Sequence, residues 1–325
     1  MKETNLANTS FVHRIIVPIY IPNAEGYFKN VFEVLKLSIE SLLQTIHSAT
    51  AITVINNACS IEVSNYLQKL LNENRIDQLV INANNKGKVD PIVSIMKGSL
   101  EPLITITDAD VLFRYGWQQE VENVFFSIPN VGMVSPLPQP AQFKYYSTWS
   151  WYFALTRNCF TLKGNEDLDA VKKFRESTTD FAGFSEIERK PLGISYNGID
   201  VIIGAGHFCA TYNKAVTNKI PNRLSGNQFT GAEVLFLDKP IEDAGLLRLA
   251  TNKGWVYHMG NVSENWMHDV VRDNQAKKKM EPIETNKYQF NATGFSFRFG
   301  ILNRIIKKSL NSTRVKNLVF AMAKK

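Results

Sequence analysis

Two aspartates, Asp108 and Asp110, follow directly on the run Leu103-Ile104-Thr105-Ile106-Thr107. Carboxylates two residues apart at the end of a strand point to one side, where both reach a single hard cation, Mn2+ or Mg2+, through oxygen ligands. Such a cation neutralises the charge that builds on a departing diphosphate and holds it in position. The plain alternative is a pair of turn formers closing a strand. The chain carries its own control in Asp167-Leu168-Asp169, which repeats the spacing in a polar stretch with no strand before it and reads as solvated surface. Lys86 and Lys88 flank Gly87 upstream of the acidic pair. They read either as cationic donors to phosphate oxygens or as an ordinary solvated loop.

The elements that must position these residues are legible as periodicity. Arg14–Tyr20, Ala51–Ile55, Leu79–Ile81, Leu103–Thr107 and Val131–Ser135 are short β-rich runs. Between them lie segments with helical spacing: Phe28 to Ile46, Ile61–Asn74, Pro91–Leu100 and Trp117–Ser127. Strands alternating with amphipathic helices predict a mostly parallel sheet covered on both faces, whose ligands bind at the carboxyl edge. Downstream, Gln142–Phe160 is crowded with aromatics that read either as core or as a surface that stacks on sugar faces or dips into a lipid interface, Asn165–Lys190 is charged and loop-like, Glu233–Thr251 reads as helical, and Trp255–His258 as a closing strand.

Composition narrows the function classes. The chain has 325 residues, 44% hydrophobic and 21% charged, which suits a packed domain. The net charge of +7 is uneven: Arg272–Lys325 holds 13 Lys or Arg against 3 Asp or Glu, leaving 24 against 27 in residues 1–271. The body therefore gives no nucleic-acid signal. Its first ten residues lack the apolar core of an export signal, no stretch approaches a membrane span, and Cys59, Cys159 and Cys209 lack metal-type spacing. The expectation is a cytoplasmic protein, with the N-x-S/T triplets at Asn8, Asn261, Asn291 and Asn311 as coincidence. In the tail, Ile301, Leu302, Ile305, Ile306 and Leu310 share a helical face with Arg304, Lys307 and Lys308 between them, and Val315, Leu318, Val319 and Met322 continue it. A basic amphipathic helix of this kind either lies on the inner face of an anionic membrane or packs on the body.

With these motifs in order, the chain resembles the GT-A fold glycosyltransferases, the family 2 group in particular. IIVPIYIPN, with Pro18 and Tyr20, is similar to the opening strand and turn of that group, AITVINNACS to its base-binding turn, NANNKGKVD to the loop before the metal strand, and LITITDADVLF to the metal strand. The resemblance covers residues 14–135 well and 200–262 loosely. It implies a Rossmann-like, mostly parallel sheet with flanking helices, a nucleotide-sugar site at Pro18, Tyr20, Asn56, Lys86, Asp108 and Asp110, and a metal completed by His258. It also implies an acceptor side near Gly206 and His207, and a base at Glu233 opening a helix. Two departures stand out: Asn56 replaces the usual Asp of the base-binding turn, and Ala232 replaces one acidic residue beside Glu233. Without the resemblance, Glu233 reads as a carboxylate at a helix N-terminus and His258 as a structural histidine.

The expected organisation is a tail (1–13), a catalytic domain (14–270, with a nucleotide-sugar half 14–135 and an acceptor half 136–270) and a basic extension (271–325). The expected function is a metal-dependent, inverting transfer of a sugar from a UDP- or GDP-type nucleoside-diphosphate sugar to a hydroxyl of a glycan or lipid-linked glycan. The alternatives are a non-catalytic sugar-binding protein on the same fold and a sugar nucleotidyltransferase. The latter needs a basic, glycine-rich loop after the first strand, and PIYIPNAEG has one glycine and no Arg or Lys.

Overall fold

Alternation along the first strand explains how the sheet is built. In β1 (His13–Ile19), Ile15, Val17 and Ile19 enter one apolar cluster while Ile16, between them, enters another on the opposite face. β2 (Thr50–Asn57) and β4 (Leu103–Thr107) are buried at every position, as central strands covered on both faces must be. The computed structural model describes residues 11–162, 168–178, 191–226, 231–283, 294–295 and 309.

The other strands are β3 (Gln78–Asn82), β5 (Val111–Phe113), β6 (Val131–Ser135), β7 (Phe160–Leu162), β8 (Leu192–Tyr196), β9 (Ile199–Ile203), β10 (Cys209–Asn213), β11 (Leu247–Thr251) and β12 (Val256–His258). Ten of the twelve described strands form one sheet in the order β3-β2-β1-β4-β10-β6-β11-β9-β8-β7, and β5 pairs with β12 in a separate ribbon. β3, β2, β1, β4, β6 and β11 run in one direction. β10 is inserted antiparallel between β4 and β6. The result is a mixed, mostly parallel α/β sheet with flanking helices, the arrangement that the GT-A resemblance implies.

The helices are α1 (Val31–Gln44), α2 (Ile61–Asn72), α3 (Val89–Gly98), α4 (Trp117–Ser127), α5 (Thr148–Arg157), α6 (Leu168–Ser177), α7 (Lys239–Asp243) and α8 (Asn265–Gln275). α1, α2, α4 and α5 cover the face of Ile15, and α3 and α7 the face of Ile16. The aromatic stretch is largely core, with Phe143, Trp149, Trp151 and Phe153 buried and Tyr145 exposed.

Three expectations need correction. Glu233–Thr251 is not one helix: a π turn (Val234–Asp238) and the short α7 end at Gly245, whose φ of +74° turns the chain into strand β11. The charged stretch 165–190 contains α6, and Asp169 sits exposed in its first turn. A strand, β7, also precedes that decoy by a few residues, so its preceding context is less bare than its sequence implies. The reading of Asp167, the triplets at Asn8, Asn291 and Asn311, and the basic helix of the tail lie outside the described residues, Ser309 apart. α8 runs across the expected boundary at 270 and docks through Asn274, whose side chain accepts from Tyr115 N–H and donates to Phe113 O. No helix among the described residues is long and apolar enough to cross a membrane.

Candidate active site

Asp108 and Asp110 stand in the turn that leaves β4 and enters β5. The Asp108 N–H donates to Phe208 O at 2.8 Å, which ties the turn to the start of β10. On the other side, β5 pairs antiparallel with β12 so that His258 lies opposite Val111, and Met259 N–H donates to Asp110 O at 2.8 Å. This ribbon brings residues 148 positions apart in the chain together: His258 Nε2 is 3.5 Å from Asp110 Oδ2. One ligand atom from each of Asp108, Asp110 and His258 lies within 4.8 Å of the others.

The three residues fit a divalent cation. Their donor set, two carboxylates and an imidazole, suits Mn2+ or Mg2+. Asp110 Oδ1 and His258 Nδ1 are enclosed without a hydrogen-bond partner among the described residues. Buried polar atoms are seldom left so, and a ligand cation would engage them. Burial, with Asp108 adding to it, raises the Asp110 carboxyl above its usual range, against the pull of His258 and Lys88. The His258 ring is walled by Phe174 and Phe208, with centroids at 5.7 and 5.6 Å.

A cavity of about 380 Å³ opens against this centre, a size that suits a small ligand. Pro18, Tyr20, Asn57, Lys88, Asp108 and Asp110 are among its lining. Pro18 and Tyr20 arrive at the carboxyl end of β1, and the ring of Tyr20 packs edge-on against Phe28 at 5.9 Å. Tyr27, adjoining Phe28 in a one-turn helix, also lines the cavity and lies in the field of both aspartates.

Two residues singled out by sequence stand elsewhere. Asn56 is buried and spent within its own turn, accepting from Cys59 N–H and donating to Ser64 Oγ, both at 2.9 Å. Lys86 is exposed and outside the cavity lining; its backbone N–H donates to Asn57 Oδ1 at 3.0 Å. Lys88 reaches the centre instead. Its ammonium pairs with Asp108 Oδ1. Burial works against its charge, yet Asp108, Glu233 and Asp110 together hold its pKa above the ordinary lysine value.

Asn57, at the end of β2, is a residue to which sequence reasoning gave no role. Its Oδ1 accepts from Asn82 Nδ2 at 3.1 Å and Lys86 N–H at 3.0 Å, and its Nδ2 donates to Asn85 Oδ1 at 2.8 Å and Gly87 O at 3.0 Å. A single side chain thus fastens the loop that delivers Lys88. The signal was present in the four asparagines at 57, 82, 84 and 85, but side-chain amides that bond backbone have no periodicity to read.

Glu233 opens the π turn, half-buried, with Oε2 accepting Gly231 N–H at 3.2 Å. Its negative charge is among those that hold up the Lys88 pKa. Gly204 and Gly206 permit close packing: a Cβ on Gly204 would stand 2.6 Å from the backbone of Gln142 and Phe143, and one on Gly206 would collide with Gln139. His207, beside them, is part-exposed and bonds Asp238. Of the other carboxylates that follow Glu233, Asp238 and Glu242 are buried and Asp243 pairs with Lys239.

No family model matches the chain, and no curated protein matches it in sequence. Solved structures do. The mannosyltransferase PcManGT from Pyrobaculum calidifontis, in complex with GDP-Man and Mn2+, is similar over 96% of this chain and 79% of that one, at 13% identity and a TM-score of 0.42. TarS 1-349 of S. aureus in complex with UDP-GlcNAc is similar over 95% of this chain and 79% of that one, at 13% identity and a TM-score of 0.43.

Proposed function

We propose that the chain is a metal-dependent glycosyltransferase that moves a sugar from a nucleoside-diphosphate sugar, UDP- or GDP-type, to a hydroxyl of a glycan or lipid-linked glycan, with inversion. The observation that carries this reading is the convergence of Asp108, Asp110 and His258 on one point against the cavity. These residues would hold Mn2+ or Mg2+, which when bound supplies charge stabilisation to a departing diphosphate. Lys88 offers the same diphosphate a protonated ammonium, made available by exchange from Asp108. Pro18 and Tyr20 border the nucleotide, and Asn57 holds the loop of Lys88 against it. On the acceptor side, near Gly206 and His207, Glu233 takes the hydroxyl proton as the new bond forms. A carboxylate suits that role because the hydroxyl becomes acidic only in the transition state. Inversion follows from a single in-line displacement.

A thermal-shift screen of nucleotides and nucleotide sugars, with and without Mn2+, tests this reading. A stabilisation that needs both one nucleotide and the metal, and that disappears in Asp108→Asn, is expected. No nucleotide giving a metal-dependent shift would sink it. A shift without release of nucleoside diphosphate in the presence of any glycoside acceptor would favour a sugar-binding protein instead.

A further inference from the structure

β3 is an outer strand of the sheet. Among the described residues only β2 pairs with it, so its other side turns a row of N–H and C=O groups to solvent. Chains commonly blunt such an edge with a charged side chain, a proline or a bulge. β3 has none of these: it reads Gln-Leu-Val-Ile-Asn, and its register on β2 is unbroken from Gln78 to Asn82. No residue of it is buried, whereas β2 is buried throughout. Leu79 packs on the cluster of Ile15 and Val80 on that of Ile16. Ile81 is 63% exposed and belongs to neither cluster. The other outer strand, β7, is three residues long and offers a shorter ladder.

The strand is complementary to itself. Set antiparallel to a second copy with Val80 on the two-fold axis, Gln78 lies opposite the partner's Asn82, Leu79 opposite the partner's Ile81, and Val80 opposite the partner's Val80. Polar meets polar and apolar meets apolar at every position. Residues directly opposite each other share a face of the sheet. Each Leu79 therefore covers an exposed Ile81 on the face of Ile15, and the two Val80 side chains meet on the face of Ile16. One residue beyond the strand, Asp77 lies opposite the partner's Ala83, so like charges are not brought together. Slipping the pairing by one residue would set Gln78 against the partner's Ile81, which disfavours other registers. A surface that matches itself about a two-fold axis is what an isologous dimer needs, and an unrelated partner does not require it.

We propose that β3 is a self-association edge, through which two copies of this chain pair antiparallel about Val80 and join their sheets into one. The two-fold axis is normal to the joined sheet, so the two carboxyl edges point in opposite directions and neither cavity is covered. β3 also leads into the loop of Lys88, and the side chain of its last residue, Asn82, donates to Asn57 Oδ1. The dimer therefore fastens the strand from which that loop departs. None of this rests on the glycosyl-transfer reading.

Sedimentation velocity of the full chain from about 1 to about 100 μM brackets the affinity of an interface at the small end of the specific range. A monomer–dimer equilibrium is expected. Ile81→Lys should weaken it at least about tenfold, because each dimer loses the Leu79 contact twice and gains two charges at the joint. Since Ile81 lies outside both clusters, the variant should keep the wild-type circular dichroism. Cross-linking tests the register without relying on that variant. Facing residues of an antiparallel pair have Cα atoms about 4.5–5.5 Å apart, within disulfide reach. Val80→Cys should therefore form a disulfide dimer with copper phenanthroline as oxidant. Leu79→Cys should not, because its own counterpart lies on the diagonal, about 7–8 Å away. Wild-type protein treated alike controls for Cys59, Cys159 and Cys209. A wild-type chain that stays monomeric throughout would overturn the proposal, as would a dimer that survives Ile81→Lys unchanged or that Val80→Cys fails to cross-link. A monomer whose β3 amides exchange with solvent as slowly as those of β2 would overturn it by showing that another part of the chain covers the edge.

Discussion

Lys88 and a divalent cation compete for the same carboxylate. The ammonium pairs with Asp108 Oδ1, an oxygen of the carboxylate that a metal at this centre would also use. Removing it should therefore act in opposite directions on two ligands. In Lys88→Met, Mn2+ alone should bind several-fold tighter, since Asp108 no longer has to be freed, while the nucleoside diphosphate in the presence of Mn2+ should bind several-fold more weakly. Titration calorimetry of both ligands checks this, and parallel losses for both would show that Lys88 serves only to hold the loop. Asp110→Asn should abolish the Mn2+ effect and cut turnover by at least ~100-fold, the scale of losing one strong stabilising contact at developing charge. At this scale the acidic pair was marked by the strand before it, whereas His258 was singled out through the resemblance alone, since a histidine beside aromatics otherwise reads as structural. The choice between Lys86 and Lys88 was not legible, because it depends on Gly87, whose φ of +74° is a property of the folded loop.

The loop from β3 to α3 has few backbone partners of its own and is held by Asn57. In Asn57→Ala the Lys86 N–H and Gly87 O lose their side-chain partner. A stability loss of about 1–3 kcal/mol is expected from denaturant titration. The loss in nucleotide affinity should be the larger effect, because Lys88 is delivered by this loop. A variant that lost stability but bound nucleotide normally would show that the loop keeps its shape without Asn57. The same elements show where sequence reading stopped. The first four strands of the sheet and their helices follow from alternation and helical spacing, since each apolar face must be buried. The run AGLLRLAT gives no such guide: its leucines suit a helix as well as a strand. What decides for a strand is Gly245 turning the chain and Arg248 finding Asp238 at 3.2 Å, a contact between segments that no local pattern encodes. β5, three residues long, exists only because β12 pairs with it.

Across the whole molecule, polar groups are treated differently at the two edges of the sheet. At the carboxyl edge, Asp110 and His258 retain atoms without a hydrogen-bond partner among the described residues. At the opposite edge, where β1 begins, three buried titratable groups are knit together. Glu122 Oε1 lies 2.8 Å from His13 Nδ1 and 3.0 Å from His47 Nε2. Thr105 closes the far side of the His13 ring at 2.7 Å, and Thr50 that of His47 at 3.1 Å. His13, Glu122 and His47 also have the proximity of a metal site, but a network whose ring nitrogens are already matched is complete as a structural element. Its charge state makes stability depend on pH. Burial favours the neutral form of His13 and lowers its pKa, in spite of Glu122. Burial alone would raise the Glu122 carboxyl; hydrogen bonds from His13 and His47 overcome it and bring the value down from 4.5 to about 2. Both groups therefore bind protons more readily in the unfolded chain, so stability rises with pH through their range. The His13 contribution is present above pH 6.5 and is lost as pH falls below it. The Glu122 contribution, about 3 kcal/mol, is present above pH 4.5 and is lost on the way down to about 2. Glu122→Gln should cost about 3 kcal/mol near neutral pH by removing the charged acceptor of two buried hydrogen bonds. The same substitution should flatten the fall in stability below pH 4.5. Urea titrations of both proteins from neutral pH into the acid range measure this, and two profiles that run parallel below pH 4.5 would mean that Glu122 is not the group that titrates.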